Sequence, residues 1–338
     1  MTTKPVQTIE DIARLANVSK STVSRALNNS SLIPAETRER IQEIARQHNF
    51  RLNAPARNLS MRQSHTLGFV SYACSGVKFS AAEDLFSLEV LGGVSEGLRA
   101  VGYDLLIVPA DPHDAAWAPH YIESGRVDGF ILIISMRKQR MINSLVQMGM
   151  PFILWGVPLP NSSYCTVCGD NLAGGRLATE HLLRAGRQRI AFIGGPAEET
   201  EVQHRFGGYQ MALQSTGRGV DPLHVTYGDY SYDSGAVSMR GLLQAAPDLD
   251  AVFVSSDLMA IGAIDSIKKS GRRVPDDIAV VGFDDLLIAR YNNLPLTTIR
   301  QNVTLAGRLM VENLIRYIQT GVITNVSLPV ELVVRESA

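Results

Sequence analysis

Between residues 67 and 283 the chain alternates short, nearly continuous apolar runs with longer stretches whose apolar residues recur at helical spacing. The runs fall at 67–73, 104–109, 129–135, 152–156, 189–194, 251–255 and 279–283, and a further strand is expected at 328–334. Helices are expected at 85–101, with Leu88, Leu91, Val94 and Leu98 on one face, and at 171–185, 205–214, 234–245 and 258–270. A strand that is apolar on both faces must be covered on both, so this alternation predicts parallel sheets with helices packed on each side. Ligands of such sheets bind at the carboxyl ends of the strands. The Gly194-Gly195-Pro196 and Ser255-Ser256-Asp257 sequences stand at those ends.

The first 50 residues follow a different pattern. Thr8 can cap a helix, with Asp11 reaching back in a capping box, and Ile9, Ile12, Ala13 and Ala16 repeat along one face. Asn17 tolerates the left-handed conformation of a tight turn, and Ser19 can cap a second helix whose Val23, Ala26 and Leu27 face inward. Lys20, Ser21, Ser24 and Arg25 are left outward, a polar and basic face suited to phosphates and base edges in a major groove. An ordinary helical hairpin is the alternative. Pro34 opens a third helix to about residue 48, in which Ile41, Ile44 and Ala45 would close a small three-helix core.

Charge separates the two regions. Residues 1–65 hold 10 Lys/Arg against 5 Asp/Glu, and the remainder holds 22 against 28, although the whole chain of 338 residues carries a formal charge of only −1. A basic head is drawn to phosphate while an acidic body stays off the duplex. Residues 50–66 contain no acid and little apolar periodicity, which fits a plain linker or a segment that orders on DNA. The polar N-terminus and the shortness of the apolar runs predict a cytoplasmic chain with no membrane span. Cys165 and Cys168 form a C-x-x-C, but no second pair or neighbouring His completes four ligands, so neither metal nor cofactor is expected. No G-x-S-x-G, Walker A, H-E-x-x-H or G-x-G-x-x-G follows a strand, so an enzyme is not expected.

Residues 8–28 resemble the helix-turn-helix of the lac repressor/galactose repressor family of bacterial transcription regulators, through Ile9, Asp11, Ala13, Ala16, Val18, Ser19, Thr22, Val23, Ser24, Arg25, Leu27 and Asn28. Asn17 departs from the family's usual Gly. The body resembles the family's two-lobed effector domain through Leu182, Ala185-Gly186, Gly195-Pro196, Arg205, Gly208-Tyr209, Ser256-Asp257, the Val281–Asp285 sequence V-G-F-D-D and Leu296-Thr297-Thr298-Ile299. The resemblance implies an α/β chain in three parts. A three-helix head spans 1–50, a hinge helix or linker spans 51–65, and an effector-binding and dimerisation domain spans 66–338. Lobe one would comprise about 66–160 and 297–325, and lobe two about 161–296 and 326–338.

Function and sites follow from the same resemblance. It implies a homodimeric repressor of double-stranded operator DNA, controlled by a small-molecule effector, most often a sugar and alternatively a nucleobase corepressor. Lys20, Ser21, Arg25 and Thr37 would contact DNA, and Asn53, Ala56 and Leu59 match a hinge that wedges Leu into the minor groove, with Arg57 and Arg62 near phosphates. Asp284, Arg205, Tyr230, Ser256 and Phe86 would contact the effector. From the residues alone, Asp284 with Arg205 could instead be an internal ion pair, Tyr230 lobe packing, and Asp257 a helix cap. Trp155-Gly156-Val157 departs from the family's polar pair, and Trp155 is expected to fill the lobe interior. A solute-binding protein is the rival from another class, disfavoured by the basic head and the lack of a signal peptide. No leucine-heptad tail follows 328–334, so a tail-driven tetramer is not expected.

Overall fold

A computed structural model describes residues 8–50, 63–71, 84–110, 115–134 and 139–338. The expected hinge residues Asn53, Ala56, Arg57, Leu59 and Arg62 lie outside them. The chain divides into two compact units, Met1–Ser64 and His65–Ala338.

In the smaller unit, helix α1 (Ile9–Ala16) starts at a reciprocal capping box: the Thr8 hydroxyl accepts from the Asp11 N–H, and the Asp11 carboxylate accepts from the Thr8 N–H. Asn17 adopts the left-handed conformation (φ 52°, ψ 48°), and Val18 N–H closes the turn onto the Ala13 carbonyl. Ser19 then caps α2 (Lys20–Leu27), its hydroxyl accepting from Thr22 N–H. Helix α3 (Ala35–Gln47) follows Pro34, which stands at the cap position without a side-chain bond. Ile12, Ala16, Val23, Ala26, Ile33, Ile41 and Ala45 form the shared core. Two polar side chains of α3 reinforce it at the helix ends, Arg40 donating to the Ala16 carbonyl and Gln42 to the Ala26 carbonyl, which also accepts from Asn29 N–H. Asn17→Gly is expected to change protection of these helices by less than about 0.5 kcal/mol. Asn17→Val should cost ~1–2 kcal/mol through its branched Cβ. Amide hydrogen exchange of the full chain reads both, and equal protection in the two variants would contradict the turn assignment.

The larger unit is built on two six-stranded sheets. In the first, β1 (Thr66–Ser71), β2 (Asp104–Ile107), β3 (Gly129–Ile133), β4 (Phe152–Trp155), β5 (Cys165–Gly169) and β11 (Asn325–Leu328) run parallel in the order β11-β5-β4-β3-β1-β2. In the second, β6 (Ile190–Gly194), β7 (Val225–Tyr227), β8 (Ala251–Val254), β9 (Ala279–Asp284) and β10 (Thr297–Gln301) are parallel, and β12 (Val330–Val333) joins β10 antiparallel, in the order β12-β10-β9-β8-β6-β7. Each sheet carries an apolar core on each face. The first is covered by α4 (Leu85–Val101), α5 (Trp117–Glu123), α6 (Gln139–Gln147) and α12 (Val303–Thr320), the second by α7 (Asn171–Arg184), α8 (Thr200–Gln214), α9 (Tyr232–Ala245), α10 (Asp257–Lys269) and α11 (Leu287–Tyr291).

The sheets place the crossings between lobes differently from the expected 160, 297 and 325. Strand β5 pairs with β4 and β11 in the first sheet, so the first crossing falls at Asp170. Strand β10 pairs with β9 and β12 in the second sheet, so the chain returns at Asn302 and crosses again at Pro329. Both strands hide behind polar lettering. Thr166, Thr297 and Thr298 are fully buried with their hydroxyls hydrogen-bonded, which lets threonine stand in a core strand. Cys165 and Cys168 also lie buried in β5, where desolvation raises both thiols, Cys168 to about 11, which leaves them protonated at neutral pH.

Helices α7 and α8 approach backbone to backbone. A Cβ on Gly175 would lie 2.0 Å from the Arg205 carbonyl oxygen, and one on Gly208 would lie 2.2 Å from that of Leu172. Gly175→Ala must therefore push α8 outward. The expected cost is about 1–3 kcal/mol, read in denaturant unfolding of the full chain, with displacement of Arg205. Unchanged stability would show that the helix pair has slack.

Candidate functional site

The carboxyl ends of the strands open on a cleft of about 350 Å³. From the first sheet it is lined by Ile133, Ile134 and Trp155, at the ends of β3 and β4, and from the second by Pro196, Ser256 and Asp284, beyond or at the ends of β6, β8 and β9. The first turn of α4 adds Phe86 and the N-terminal half of α8 adds Arg205. All five expected effector residues, Asp284, Arg205, Tyr230, Ser256 and Phe86, are brought together here.

Arg205 is 5% exposed, and its guanidinium is held by the protein itself. Nε donates to Asn171 Oδ1 at 2.7 Å, Nη1 donates to the Ser255 carbonyl, and the group lies 3.8 Å above the Phe283 ring centroid. Asp284 ends β9 at φ 118°, with one carboxylate oxygen accepting from Gln301 Nε2 at 2.7 Å. The two residues thus take separate partners instead of forming a direct ion pair. Burial pushes the Asp284 carboxyl up to about 7, against the opposing pull of Arg205 and the Gln301 hydrogen bond. Its neighbour Asp285 points elsewhere, gripped by Arg300 and Arg335. Asp284, Asp285 and Tyr230 all have positive φ, a costly backbone state for residues with a side chain, and such strain gathers at ligand sites.

Tyr230 donates its hydroxyl to Glu199 Oε2 at 3.0 Å, and the ring fits only because Gly195 lacks a side chain: a Cβ there would lie 2.3 Å from it. The cap of α10 is Ser256, whose Oγ accepts from Met259 N–H; the expected role of Asp257 as cap is corrected. Ser256 is extended and places its oxygen over the open helix end, whereas Asp257 is already helical and turns inward to accept from Leu286 N–H and Thr298 Oγ1. Burial and repulsion from Asp284 raise the Asp257 carboxyl. Trp155 lines the cleft as well as touching the lobe core, with its ring 5.2 Å from that of Phe86 and tilted by 57°. The expectation that it only fills the interior is therefore revised.

Sequence reasoning missed four acids in the lining: Asp84, Glu199, Glu201 and Asp229. Glu201 stands on α8 yet accepts from Val157 N–H at 2.9 Å, across from the second sheet's half to the first. It fills the space left by Gly156, where a Cβ would meet its oxygen at 2.9 Å. The Trp155-Gly156-Val157 sequence was thus the available signal, since a glycine beside an unexpected tryptophan marks room for a group from elsewhere. In the smaller unit, Lys20, Ser21 and Arg25 lie exposed on α2 and Thr37 is half-buried on α3. Lys20 pairs with Glu10, and Ser21 shares a hydroxyl contact with Ser19.

Two family models match the chain, that of the bacterial regulatory proteins of the lacI family at residues 8–53 and that of the periplasmic binding protein-like domain at 179–338. The HTH-type transcriptional regulator CelR of Thermobifida fusca is 36% identical over 98% of both chains, and the ribose operon repressor of Haemophilus influenzae is 31% identical over 92% of both. Among solved structures, a lac repressor dimer bound to operator and an anti-inducer superposes with a TM-score of 0.80 at 28% identity, covering 99% of each chain. A CelR–cellobiose complex superposes with a TM-score of 0.75 at 33% identity, covering 98% of this chain and 100% of that one. The chain belongs to the lacI family of bacterial regulatory proteins. It is a helix-turn-helix transcription regulator. Among the described residues no helix is long and apolar enough to cross a membrane.

The raised Asp284 carboxyl has a measurable consequence. A carboxyl whose folded pKa lies above its unfolded value near 3.9 binds its proton more tightly when folded, so its stabilising contribution is present below about 4 and is lost as pH rises through about 7. Asp284→Asn removes that loss, and should gain on the order of 2 kcal/mol relative to wild type between pH 5 and pH 8. Urea unfolding at the two pH values tests it; a difference between variant and wild type that does not change with pH would refute the raised carboxyl.

Proposed function

We infer that the chain is a homodimeric, cytoplasmic repressor whose cleft takes a sugar effector, and that effector binding changes the grip of the basic head on a pseudo-palindromic operator. The observation that carries this reading is a strand-end cleft combining an aromatic wall, Phe86 and Trp155, with buried carboxylates and a fixed guanidinium. A sugar presents an apolar ring face to the first and hydroxyls to the second. The CelR–cellobiose complex and the lac repressor dimer bound to operator support the same assignment. Asp284, Arg205, Tyr230, Ser256, Phe86 and Trp155 are proposed as the effector's contacts, with no catalytic step and no cofactor.

On the DNA side, Lys20, Ser21 and Arg25 are proposed to meet base edges and Thr37 a phosphate, with Asn53, Ala56 and Leu59 forming the hinge. The Lys20–Glu10 pair is exposed and worth little, so a base edge can displace it. The proposed parts are a DNA-binding head at 1–50, a hinge at 51–65 and an effector domain at 66–338. Ligand can shift operator affinity only as far as it prefers one state of the body over the other.

Operator sequences selected from random DNA by the full chain should be two-fold symmetric. On the selected site, Arg25→Ala should lose at least about tenfold in affinity and relax preference at one base pair per half-site, the worth of one good base contact. Binding of all duplexes alike by the wild-type chain would sink the regulator's operator reading, and an unchanged base preference in the variant would remove Arg25 from it.

A further inference from the structure

Asp257 is fully buried at the start of α10, between Ser256 and Leu258, which line the cleft. It does not cap its helix, because Ser256 does, and among the described residues no cationic side chain bonds to it. A carboxylate kept out of water without a cation is costly, so its place in the interior has to be justified by the hydrogen bonds it accepts. One oxygen accepts from the Thr298 hydroxyl on β10 at 2.5 Å, and the other from Leu286 N–H, beyond the end of β9, at 2.8 Å. The carboxylate reaches both across Gly282 of β9, where a Cβ would lie 2.5 Å from its oxygen. We propose that Asp257 is a positioning residue of the effector site, whose carboxylate holds the turn that aims Asp284 into the cleft. This rests on the assignment of Asp284 as an effector contact and adds the group that sets its place.

Strand β9 is fixed as far as Asp284 by its pairing with Arg300 of β10, and Leu286 N–H is fixed by Asp257. The chain between these two points must turn within Asp284 (φ 118°) and Asp285 (φ 58°). A costly backbone state of this kind persists only where the surroundings hold it at both ends. The turn separates the two acids, sending Asp284 to Gln301 and the cleft and Asp285 to Arg300 and Arg335. Two donors have to be met, and a carboxylate meets both without bringing a donor of its own, whereas an amide has one oxygen and must turn its NH2 toward the other donor. Ser256 directly precedes Asp257, so the same two bonds tie the helix end that carries the Ser256 hydroxyl to the turn that carries Asp284.

The test is a double-mutant cycle in the full chain, with Asp284→Asn made in wild-type, Asp257→Ala, Asp257→Asn and Thr298→Val backgrounds and urea unfolding followed at pH 5 and pH 8. The pH dependence of the Asp284→Asn effect reports how far the Asp284 carboxyl is kept out of water. Asp257→Ala removes both bonds and should shrink that dependence at least about twofold, with amide exchange over 284–287 at least about tenfold faster. Thr298→Val takes away one of the two bonds without touching Asp257 and should move both readouts the same way by a smaller factor. Asp257→Asn removes the charge yet keeps an oxygen for Leu286 N–H, and should retain more than about half of the dependence. Arg205 and Glu89, which also act on the Asp284 carboxyl, are untouched by these substitutions. Asp257→Ala and Thr298→Val chains that lose stability equally at both pH values, with the Asp284→Asn effect unchanged, would make Asp257 a packing residue and overturn the proposal. Equal flattening by Ala and Asn would assign the effect to charge instead of position and overturn it as well. Calorimetry with glucose, ribose and cellobiose carries the test to ligand: whichever of them the wild-type chain binds should bind Asp257→Ala at least about tenfold more weakly, and unchanged affinity overturns the positioning role. Binding of none of the three by the wild-type chain would count against the sugar reading alone, and the cycle would still decide the role of Asp257.

Discussion

A guanidinium held out of water at the meeting of two sheets is the constraint around which the cleft is arranged. Arg205 can be buried only because an amide oxygen, a backbone carbonyl and an aromatic face replace its water, and each comes from a different element: α7, the segment after β8, and β9. Those elements must therefore be close. The helix pair meets their demand through Gly175 and Gly208, whose missing side chains let α7 and α8 touch by backbone and set Arg205 at the strand ends. Leaving one partner out would strand a charge in a medium of low polarity, so the guanidinium ties the register of the helices to the position of the strands.

The same burial explains why the carboxylates around it behave differently. Asp284 is raised because desolvation outweighs the help of Arg205 and Gln301, whereas Asp229, with hydroxyl and N–H donors from its own turn, stays low. Asp285, one residue beyond Asp284, leaves the cleft altogether for two arginines. Adjacent acids thus do different work, one aimed at the cleft and one fastening the end of the chain through Arg335.

What the sequence revealed follows from the range over which each feature is encoded. The turn at Asn17, the caps at Thr8 and Ser19 and the apolar strands are local patterns, and each was readable where it stands. Strands β5 and β10 were less so, because a buried threonine reads as polar until its partner is known: Thr298 depends on Asp257, and Thr166 on Asn325, far along the chain. In the cleft, Asp284 and Arg205 were legible through the family's pattern, but Glu199 and Glu201 were not. They stand at the start of α8 among other acids, ahead of the helix expected over 205–214, and only the fold turns that end inward. The placement of Trp155 failed for a related reason, since a tryptophan at a strand end serves both interior and cleft.

Two carboxylates also join the halves of the body across the cleft. Glu201, from the second half, accepts from Val157 N–H of the first, and Glu89, on α4 of the first half, accepts from Leu287 N–H of the second at 2.8 Å. Glu89 is raised by burial and by Asp285, in spite of the Leu287 hydrogen bond, so the ionised form is disfavoured at the contact it makes. Each bond is modest by itself, about 1 kcal/mol net, because water satisfies the same groups when the halves separate. A pair of weak ties is what a responsive receptor requires. Ties worth much more would fix one arrangement whether or not ligand is present, and ties worth nothing would leave the ligand alone to hold the halves, whereas a few kcal/mol lie within reach of the differential affinity of one small ligand. Glu201 both lines the cleft and makes one of the ties, so a ligand hydroxyl that engages its second oxygen acts directly on a group that joins the two halves.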